Sequence, residues 1–218
     1  MREIRMTKNN PSAIEFFHDV LCAWCYAMSP RVQRLAMNYP EKIEIVHRAF
    51  PLALEPDGIE QIFCSKERGK EEILEHWRRA NENDDQHRIK PELMATKKFD
   101  YPYSTPGLLA CKAAELQGGH SMHGKMFDRV QKTHLTECHN IADFEILKMC
   151  AKDIGLDVEQ WRKDYHSDKV KNMLDDDLYQ AKSFGINSVP SIMVNGKHKF
   201  SGAQSYEALE NWFKNLPK

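Results

Sequence analysis

Two cysteines separated by two residues carry the clearest chemistry in this sequence. Cys22 and Cys25 follow the apolar stretch at residues 13–17 and open a helical pattern. Two thiols with this spacing at the start of a helix are within bonding reach of each other. Backbone N–H groups and the helix dipole stabilise a thiolate at the first of them. The sequence therefore predicts a dithiol redox site.

A structural or metal-binding role is the alternative for this pair. Structural zinc sites take four ligands, and the sequence contains no second Cys-x-x-Cys and no His-x-x-x-His. The flanking Phe, Leu, Trp and Tyr residues suit a packed helix better than a metal knuckle. We therefore predict redox chemistry at the pair and no metal site.

The remaining cysteines are expected to be small buried hydrophobic residues. They are Cys64, Cys111, Cys138 and Cys150. Cys138, with His139 beside it, is the candidate for a secondary thiol. His134 and His139 are expected to be surface or capping residues rather than catalytic ones.

The composition is typical of a globular protein. Of the 218 residues 41% are hydrophobic and 29% are charged, and the formal net charge is −1. Such a balance gives no electrostatic attraction to nucleic acid or to anionic lipid. Residues 1–10 include basic residues but no apolar region follows them, and no stretch approaches the roughly 18 apolar residues of a spanning helix. We expect a cytoplasmic protein with neither nucleic-acid nor membrane partners, its cysteines being mostly free thiols.

The first part of the chain predicts a βαβ unit. Residues 13–17 and 42–49 have the apolar and β-branched content of strands, and a helical pattern runs between them from about Cys22. A helical crossover makes two such strands parallel. The Pro-rich stretch at residues 51–58 predicts the loop that closes this unit.

The rest of the chain divides into a helical block and a return to β structure. Residues 59–184 read as almost entirely helical, with one helix ending at Gly118-Gly119. The polar run at residues 81–86 predicts an exposed loop within this block. Residues 191–194 and 198–201 flank Asn195-Gly196, a strong hairpin signal. Ser205 can then cap a final helix.

This order of elements predicts an α/β protein with a thioredoxin-like fold, βαβ…ββα, and a large all-helical insertion. In this interpretation residues 1–58 and 185–218 form the thioredoxin-like domain. Residues 59–184 form the helical insertion domain.

Several segments resemble the DsbA-type branch of the thioredoxin superfamily, and most closely its FrnE-like and 2-hydroxychromene-2-carboxylate isomerase-like members. They are FHDVLCAWCY at residues 17–26, FPL…PD at 50–57, HLTE at 134–137, GINSVPS at 185–191 and FSGAQ at 200–204. The resemblance extends from about residue 13 to residue 213. This chain departs from the family pattern at Ala23, where Pro is more frequent, and at Cys138, where Gly is frequent.

The resemblance implies thiol–disulfide exchange. Cys22, exposed at the helix N-terminus, would form a mixed disulfide with a client, and the less exposed Cys25 would resolve it. The backbone of Val189 would hold an extended client. Pro190 would be cis, which brings this segment beside the first cysteine, and would block metal capture at the pair.

Two further residues are candidates for the site. Trp24, between the two cysteines, is expected to contact the substrate. Asp19 is either a buried proton acceptor for Cys25 or a cap of the loop before the helix, and the sequence does not decide between these roles.

Three functions from different classes are consistent with these residues. The leading one is a protein dithiol–disulfide oxidoreductase or isomerase without a bound cofactor, acting on a thiol- or disulfide-containing protein or small molecule. The second is a glutathione-linked transferase or isomerase of the kappa-class or chromene-isomerase type, with glutathione as co-substrate. Those enzymes typically present serine at the first position and do not need Cys25. The third is a chaperone-like binding module whose activity would survive loss of both cysteines. The sequence leaves the oligomeric state open.

Overall fold

The strands form one mixed sheet with β1 at its centre. In the computed structural model, which describes residues 12–217, the strand order is β2-β1-β3-β4. The strands are β1 (Ser12–His18), β2 (Ile43–Ala49), β3 (Ser191–Val194) and β4 (His198–Ser201). Strand β2 is parallel to β1, whereas β3 is antiparallel to both β1 and β4. The expectation for residues 1–10 lies outside the described residues.

Helices account for most of the remaining described chain. They are α1 (Ala23–Asn38), α2 (Gly58–Phe63), α3 (Lys66–Asn83), α4 (Pro91–Ala95), α5 (Ser104–Gln131), α6 (Phe144–Asp153), α7 (Val158–Tyr165), α8 (Asp168–Ser183) and α9 (Tyr206–Lys214). A π-helical turn, Lys132–Thr136, extends α5. Within residues 12–217, no helix combines the length and the hydrophobicity needed to cross a bilayer.

Helix α5 is interrupted where the sequence predicts a helix end. Gly118 and Gly119 leave the helical region, and the φ of Gly119 is +63°. A second helical half follows directly, so that α5 changes direction there. The predicted helix end is confirmed.

The predicted hairpin between β3 and β4 is confirmed as well. Asn195 and Gly196 have φ values of 53° and 64°, as a tight turn between twisted strands requires.

The thioredoxin-like fold with a helical insertion is confirmed by these elements. The βαβ unit, the helical block and the final ββα unit follow one another as predicted. The division into domains at residues 58/59 and 184/185 stays a prediction.

The central strand is buried on both faces. Phe16 lies in the main core with Leu35 of α1 and Phe127 of α5. Its neighbour Phe17 points to the opposite face, where it packs with Ala181 of α8 in a smaller cluster. Since side chains alternate along a strand, helices on both sides of the sheet hold β1 in place. The position of the segment between β1 and Cys22 is therefore well defined.

A buried arginine fixes α1 to two distant parts of the chain. Arg31 pairs with Asp85 at 2.7 Å and donates to Asn83 Oδ1 at 3.0 Å. It also donates to the backbone oxygens of Ala203 and Gln204, at 3.3 and 2.9 Å. The helix that begins at the cysteine pair is thus tied to the end of α3 and to the loop before α9.

The other cysteines divide into two groups. Cys111, Cys138 and Cys150 are buried, as predicted. The prediction that Cys64 is buried is wrong, because it is exposed. Cys64 ends α2 in the left-handed region, with φ 70°, so it lies in the turn between α2 and α3 rather than on a packed helix face.

Candidate active site

Cys22 is the N-cap of α1, and its sulfur accepts a backbone hydrogen bond. The N–H of Cys25 donates to Cys22 Sγ at 3.1 Å. The backbone before the helix is held as well, because the N–H of Cys22 donates to the backbone oxygen of Asp19 at 3.1 Å. Negative charge that develops on Sγ would face the N–H groups of the first helical turn.

The second contact of Cys22 comes from the far end of the chain. Its thiol donates to the Val189 oxygen, with 3.7 Å between Sγ and O. The Val189–Pro190 peptide is cis, as the resemblance implies. This segment is held in turn by β4, because Pro190 O accepts from the N–H of Gly202 at 2.9 Å.

The two thiols lie in different surroundings. Cys25 is fully buried, and burial, followed by the adjacent Cys22 thiol, raises the pKa of Cys25 well above its ordinary value. The prediction that Cys22 is exposed is wrong, because only 4% of it is accessible. Trp24 and Val189 line the same cavity as Cys22.

Asp19 is fully buried and caps the loop before α1. Its Oδ1 accepts from the N–H of Leu21 at 3.1 Å. Its Oδ2 accepts from the N–H of Leu52 and from Ser104 Oγ, both at 2.6 Å. Burial raises the pKa of Asp19 to about 6, and these hydrogen bonds oppose that shift. The capping role is confirmed, and the role of proton acceptor stays a proposal.

Gln131, which the sequence did not single out, joins this loop to the helical block. Its Nε2 donates to the backbone oxygens of Asp19 and Cys22, at 3.1 and 3.0 Å. It lies at the end of α5, directly before the π-helical turn. No local sequence pattern predicts this role, because it depends on the end of α5 lying next to the loop before α1 in the folded chain.

An apolar cavity of about 350 Å³ opens beside Cys22. Its walls come from the start of α1, the loop at residues 52–53, helices α2 and α3, and Val189. They include Leu52, Ile59, Ile62, Ile73 and Trp77. Among the described residues that line it, none is Lys, Arg, Asp or Glu.

A chain of hydrogen bonds supports the wall of this cavity. Trp77 Nε1 donates to Tyr101 Oη at 3.1 Å, and Tyr101 Oη is 3.0 Å from His134 Nε2. The prediction that His134 lies at the surface is wrong, because it is fully buried. Burial lowers the pKa of His134 to about 3, so the ring is neutral. Its Nδ1 faces the backbone oxygen of His139, and its Nε2 accepts a hydrogen bond from the Tyr101 hydroxyl. His139 is exposed, as expected.

A group of histidines with metal-ligand chemistry lies apart from the cysteines. His18, His47 and His123 each place a ring nitrogen within 4.8 Å of the others. The sequence analysis missed this group because its members belong to three separate elements. No short spacing motif joins them.

The fold and the cysteine geometry together define a class. A Cys-x-x-Cys pair at the N-terminus of the first helix faces a cis-proline on a thioredoxin-like sheet, and a helical block covers it. The chain belongs to the DSBA-like thioredoxin domain family, whose model matches residues 13–214.

Relatives by sequence include proteins named as adapters. The chain is 28% identical over 211 residues to the ClpXP adapter protein SpxH of Bacillus subtilis (strain 168), covering 92% of this chain and 66% of that protein. It is 28% identical over 206 residues to SpxH of Shouchella clausii (strain KSM-K16), covering 88% and 64%. The chain thus spans somewhat less than two thirds of the length of these relatives.

Solved structures share the fold over nearly the whole chain. A putative protein disulfide isomerase from Nitrosomonas europaea superposes with a TM-score of 0.76 at 18% identity, covering 94% of this chain and 96% of that one. The cytosolic disulfide reductase DsbM from Pseudomonas aeruginosa gives 0.71 at 18% identity, covering 94% and 100%. A 2-hydroxychromene-2-carboxylate isomerase gives 0.67 at 13% identity, covering 93% and 94%. The resemblance to the DsbA-type branch is therefore confirmed at the level of the fold.

Proposed function

We propose that this protein is a thiol–disulfide oxidoreductase or isomerase in which Cys22 exchanges disulfides with a client and Cys25 resolves the intermediate. One observation carries the proposal. Cys22 Sγ lies at the helix N-cap, accepts the N–H of Cys25 at 3.1 Å and faces the carbonyl of the cis Val189–Pro190 peptide. This geometry presents one sulfur to a client and places the second cysteine within the first turn behind it.

In the first step, the Cys22 thiolate attacks one sulfur of a client disulfide. A bond forms between Cys22 Sγ and that sulfur, the client S–S bond breaks, and the other client sulfur leaves as a thiolate that takes up a proton. The N–H of Cys25 and the helix N-terminus stabilise negative charge on Cys22 Sγ. The same groups favour the reverse step, in which Cys22 is the leaving group.

In the second step, Cys25 loses its proton and attacks Cys22 Sγ. The mixed disulfide breaks, the second client thiolate leaves, and a Cys22–Cys25 disulfide forms. The client disulfide has then gained two electrons, which the cysteine pair has lost. Asp19 is the proposed acceptor of the Cys25 proton, since it is ionised above its pKa of about 6 and its charge acts on Cys25.

The cavity favours an apolar client segment. Trp24 and Val189 line it next to Cys22, and the Val189 oxygen offers a backbone acceptor beside the cis Pro190. The client would place an apolar side chain near its reactive cysteine.

We further propose that the protein works in the cytoplasm as a reductase or isomerase. The structural neighbour DsbM, which is described as a cytosolic disulfide reductase, supports this proposal.

A glutathione redox titration with thiol trapping and mass measurement tests the proposal. We expect a single two-electron transition that is lost in Cys22→Ser and in Cys25→Ser. The exposed cysteine supplies the control, and Cys64→Ser should keep the transition. If no Cys22–Cys25 bond forms at any glutathione ratio, the proposal is wrong.

The glutathione-linked alternative is less well supported by the site. One of the structures that share the fold is DsbM with GSH. In this chain, however, the described residues that line the cavity include no Lys or Arg that could pair with the carboxylates of glutathione. Cys25, moreover, has no role in glutathione addition. Conjugation activity that survives Cys25→Ser would favour that alternative.

A role as an adapter is the second candidate, because the sequence matches SpxH proteins over as much as 92% of this chain. An adapter holds its partner by surface contacts and needs no electron transfer. Its activity should persist in the Cys22→Ser/Cys25→Ser double variant, whereas the oxidoreductase activity should be abolished.

A further inference from the structure

Three histidines from three elements converge in the core between the sheet and α5. His47 of β2 is level with Phe16 of β1, and His18 lies two residues beyond Phe16. Since residues two apart share a strand face, His18 and His47 point toward the same side. His123 of α5 covers them, with ring centroids 5.2 Å from His18 and 5.1 Å from His47. All three side chains are buried.

The hydrogen bonds of these rings leave two buried nitrogens without partners. His18 Nε2 is 3.1 Å from His47 Nδ1, and His123 Nδ1 is 2.7 Å from Glu115 Oε2. His18 Nδ1 and His123 Nε2 are buried and make no hydrogen bond within the described structure. Buried polar atoms are seldom left unpaired, so we expect these two nitrogens to bind a ligand.

The contact with Glu115 shows what His123 offers. A neutral imidazole carries one N–H, and the carboxylate of Glu115 fixes it at Nδ1. The buried Nε2 therefore presents a bare lone pair. Metal-ligating histidines are oriented in this way, with the second ring nitrogen donating to a carboxylate.

We propose that His18, His47 and His123 bind a divalent transition-metal ion, with Zn²⁺ the best match. Imidazole nitrogen suits zinc, copper, nickel and iron. Three protein ligands with an open fourth position are a common zinc arrangement. The ring nitrogens already lie within 4.8 Å of one another, and binding one ion would draw them closer, because Zn–N bonds are about 2.0–2.1 Å long.

The surroundings of His47 provide room for a fourth ligand. His47 lines a second cavity, of about 590 Å³, whose wall also includes His120 and Gly124. A Cβ at position 124 would lie 2.6 Å from His47 Nε2, so glycine leaves the space that this ring occupies. The charged side chains that line the cavity are Glu44, Asp128 and Lys125, so the two carboxylates outnumber the one ammonium group.

Charged groups beside the cluster offset the charge of a bound ion. Buried Lys112 lies near the rings, and its Nζ is 3.0 Å from Glu115 Oε2 and 2.6 Å from Asp177 Oδ2. Asp177 also pairs with Arg48. Glu115 is the carboxylate that contacts the cluster directly, through His123 Nδ1, so it would offset part of the charge of a bound ion.

The test uses the full chain as the Cys22→Ser/Cys25→Ser variant, because the cysteine pair could itself capture zinc. Co²⁺ titration followed by visible absorption should show one bound ion per chain, which Zn²⁺ displaces. X-ray absorption of the Zn²⁺-loaded protein should show nitrogen and oxygen ligands with imidazole scattering and no sulfur. The absence of binding, or a sulfur ligand, would overturn the proposal without any further substitution.

Two substitutions and a control then locate the ion. His123→Gln should weaken Co²⁺ binding at least about 100-fold, and Glu115→Gln by about 10- to 100-fold, because it removes the orienting carboxylate. His166→Gln, at an exposed histidine, should leave binding unchanged. Circular dichroism of the metal-free variants identifies those that remain folded. If every folded variant binds as tightly as the parent, the assignment to these histidines is wrong.

Discussion

Cys22 and Cys25 are three residues apart, yet their surroundings assign them different roles. Cys22 contacts the cavity and the Val189 carbonyl, whereas Cys25 is fully enclosed. Burial raises the pKa of Cys25, so this thiol keeps its proton until a sulfur that can be attacked lies next to it. The order of events in the proposed exchange follows from this difference.

Cys25→Ser should therefore stop the exchange at its intermediate. Without the resolving sulfur, mixed disulfides between Cys22 and client thiols should accumulate under oxidising conditions, approaching one per chain. Nonreducing electrophoresis and mass spectrometry would detect them. The Cys22→Ser/Cys25→Ser variant should form none, and Cys64→Ser should resolve them normally. An adduct-free Cys25→Ser protein would contradict the scheme.

Asp19→Asn should change how stability depends on pH. The pKa of Asp19 is raised by burial from 3.8 to about 6, so between these values the folded protein binds a proton that the unfolded chain has lost. The stability that the protonated form provides is complete below pH 3.8 and is lost as pH rises through 6. This loss amounts to about 3 kcal/mol in total for the native protein, and the amide variant, which does not titrate, lacks it.

Urea unfolding of both proteins at pH 4, 5, 6 and 7, with a reductant present, measures this effect. The free energy of unfolding of Asp19→Asn minus that of the native protein should increase by about 2–3 kcal/mol from pH 4 to pH 7. Comparing the two proteins at each pH cancels the contributions of other titrating groups. A difference that stays constant would show that Asp19 titrates as it does in the unfolded chain.

Among the elements, α1 carries the reactive pair, and Arg31 holds it in position. Arg31→Met should remove hydrogen bonds to the backbone oxygens of Ala203 and Gln204 and leave buried acceptors unpaired. We expect a loss of about 1–3 kcal/mol in the free energy of unfolding. Arg79→Met, which removes an exposed pair with Glu75, should change it by less than about 0.5 kcal/mol. Equal losses in the two variants would show that Arg31 does not anchor α1.

Local patterns in the sequence were enough to predict the elements of this fold. Asn195-Gly196 specified the hairpin, and the apolar stretch at 13–17 specified β1. Contacts between distant segments were not predictable in this way. The predicted exposed loop at 81–86 is helical as far as Asn83, and Asp84 is buried in an ion pair with Arg88, because tertiary contacts outweigh the local polar composition.

The candidate site shows the same limit. The spacing of Cys22 and Cys25 predicted a redox pair, and that role stays a prediction; the structure places both residues at the start of α1. Gln131 was missed because it contacts the loop before α1 only in the folded chain. His134 was misplaced because its burial against Tyr101 also depends on the packing of distant segments. The three clustered histidines are brought together by strand pairing and by α5, which no sequence spacing encodes.

At the scale of the whole molecule, the cavity is built from parts far apart in the chain. Residues near Cys22 form one wall, α2 and α3 form another, and Val189 closes it. Ile62 lines the cavity and is 56% exposed, so its side chain is available to an apolar client. In the proposed exchange, α1 supplies the reactive sulfur, and α2 and α3 supply much of the surface that a client would contact.

Ile62→Asp should weaken client binding without altering the cysteine chemistry. Losing an apolar contact of this size should lower kcat/KM for a peptide disulfide by about tenfold. The glutathione midpoint should not move. Met37→Asp provides the control, because Met37 is 71% exposed and does not line the cavity. Equal effects of the two variants would exclude the cavity as the client site.

The strand order has a consequence for how the protein is made. A ribosome delivers β1 and the cysteine pair long before β3, which pairs with β1 at the centre of the sheet. Until Val189 and β3 emerge, one edge of β1 is unpaired and one wall of the cavity is missing. During synthesis the thiols of Cys22 and Cys25 are thus more accessible than in the folded chain, where both are buried. Delayed long-range pairing of this kind exposes strand edges during folding, and here it also exposes the reactive sulfur.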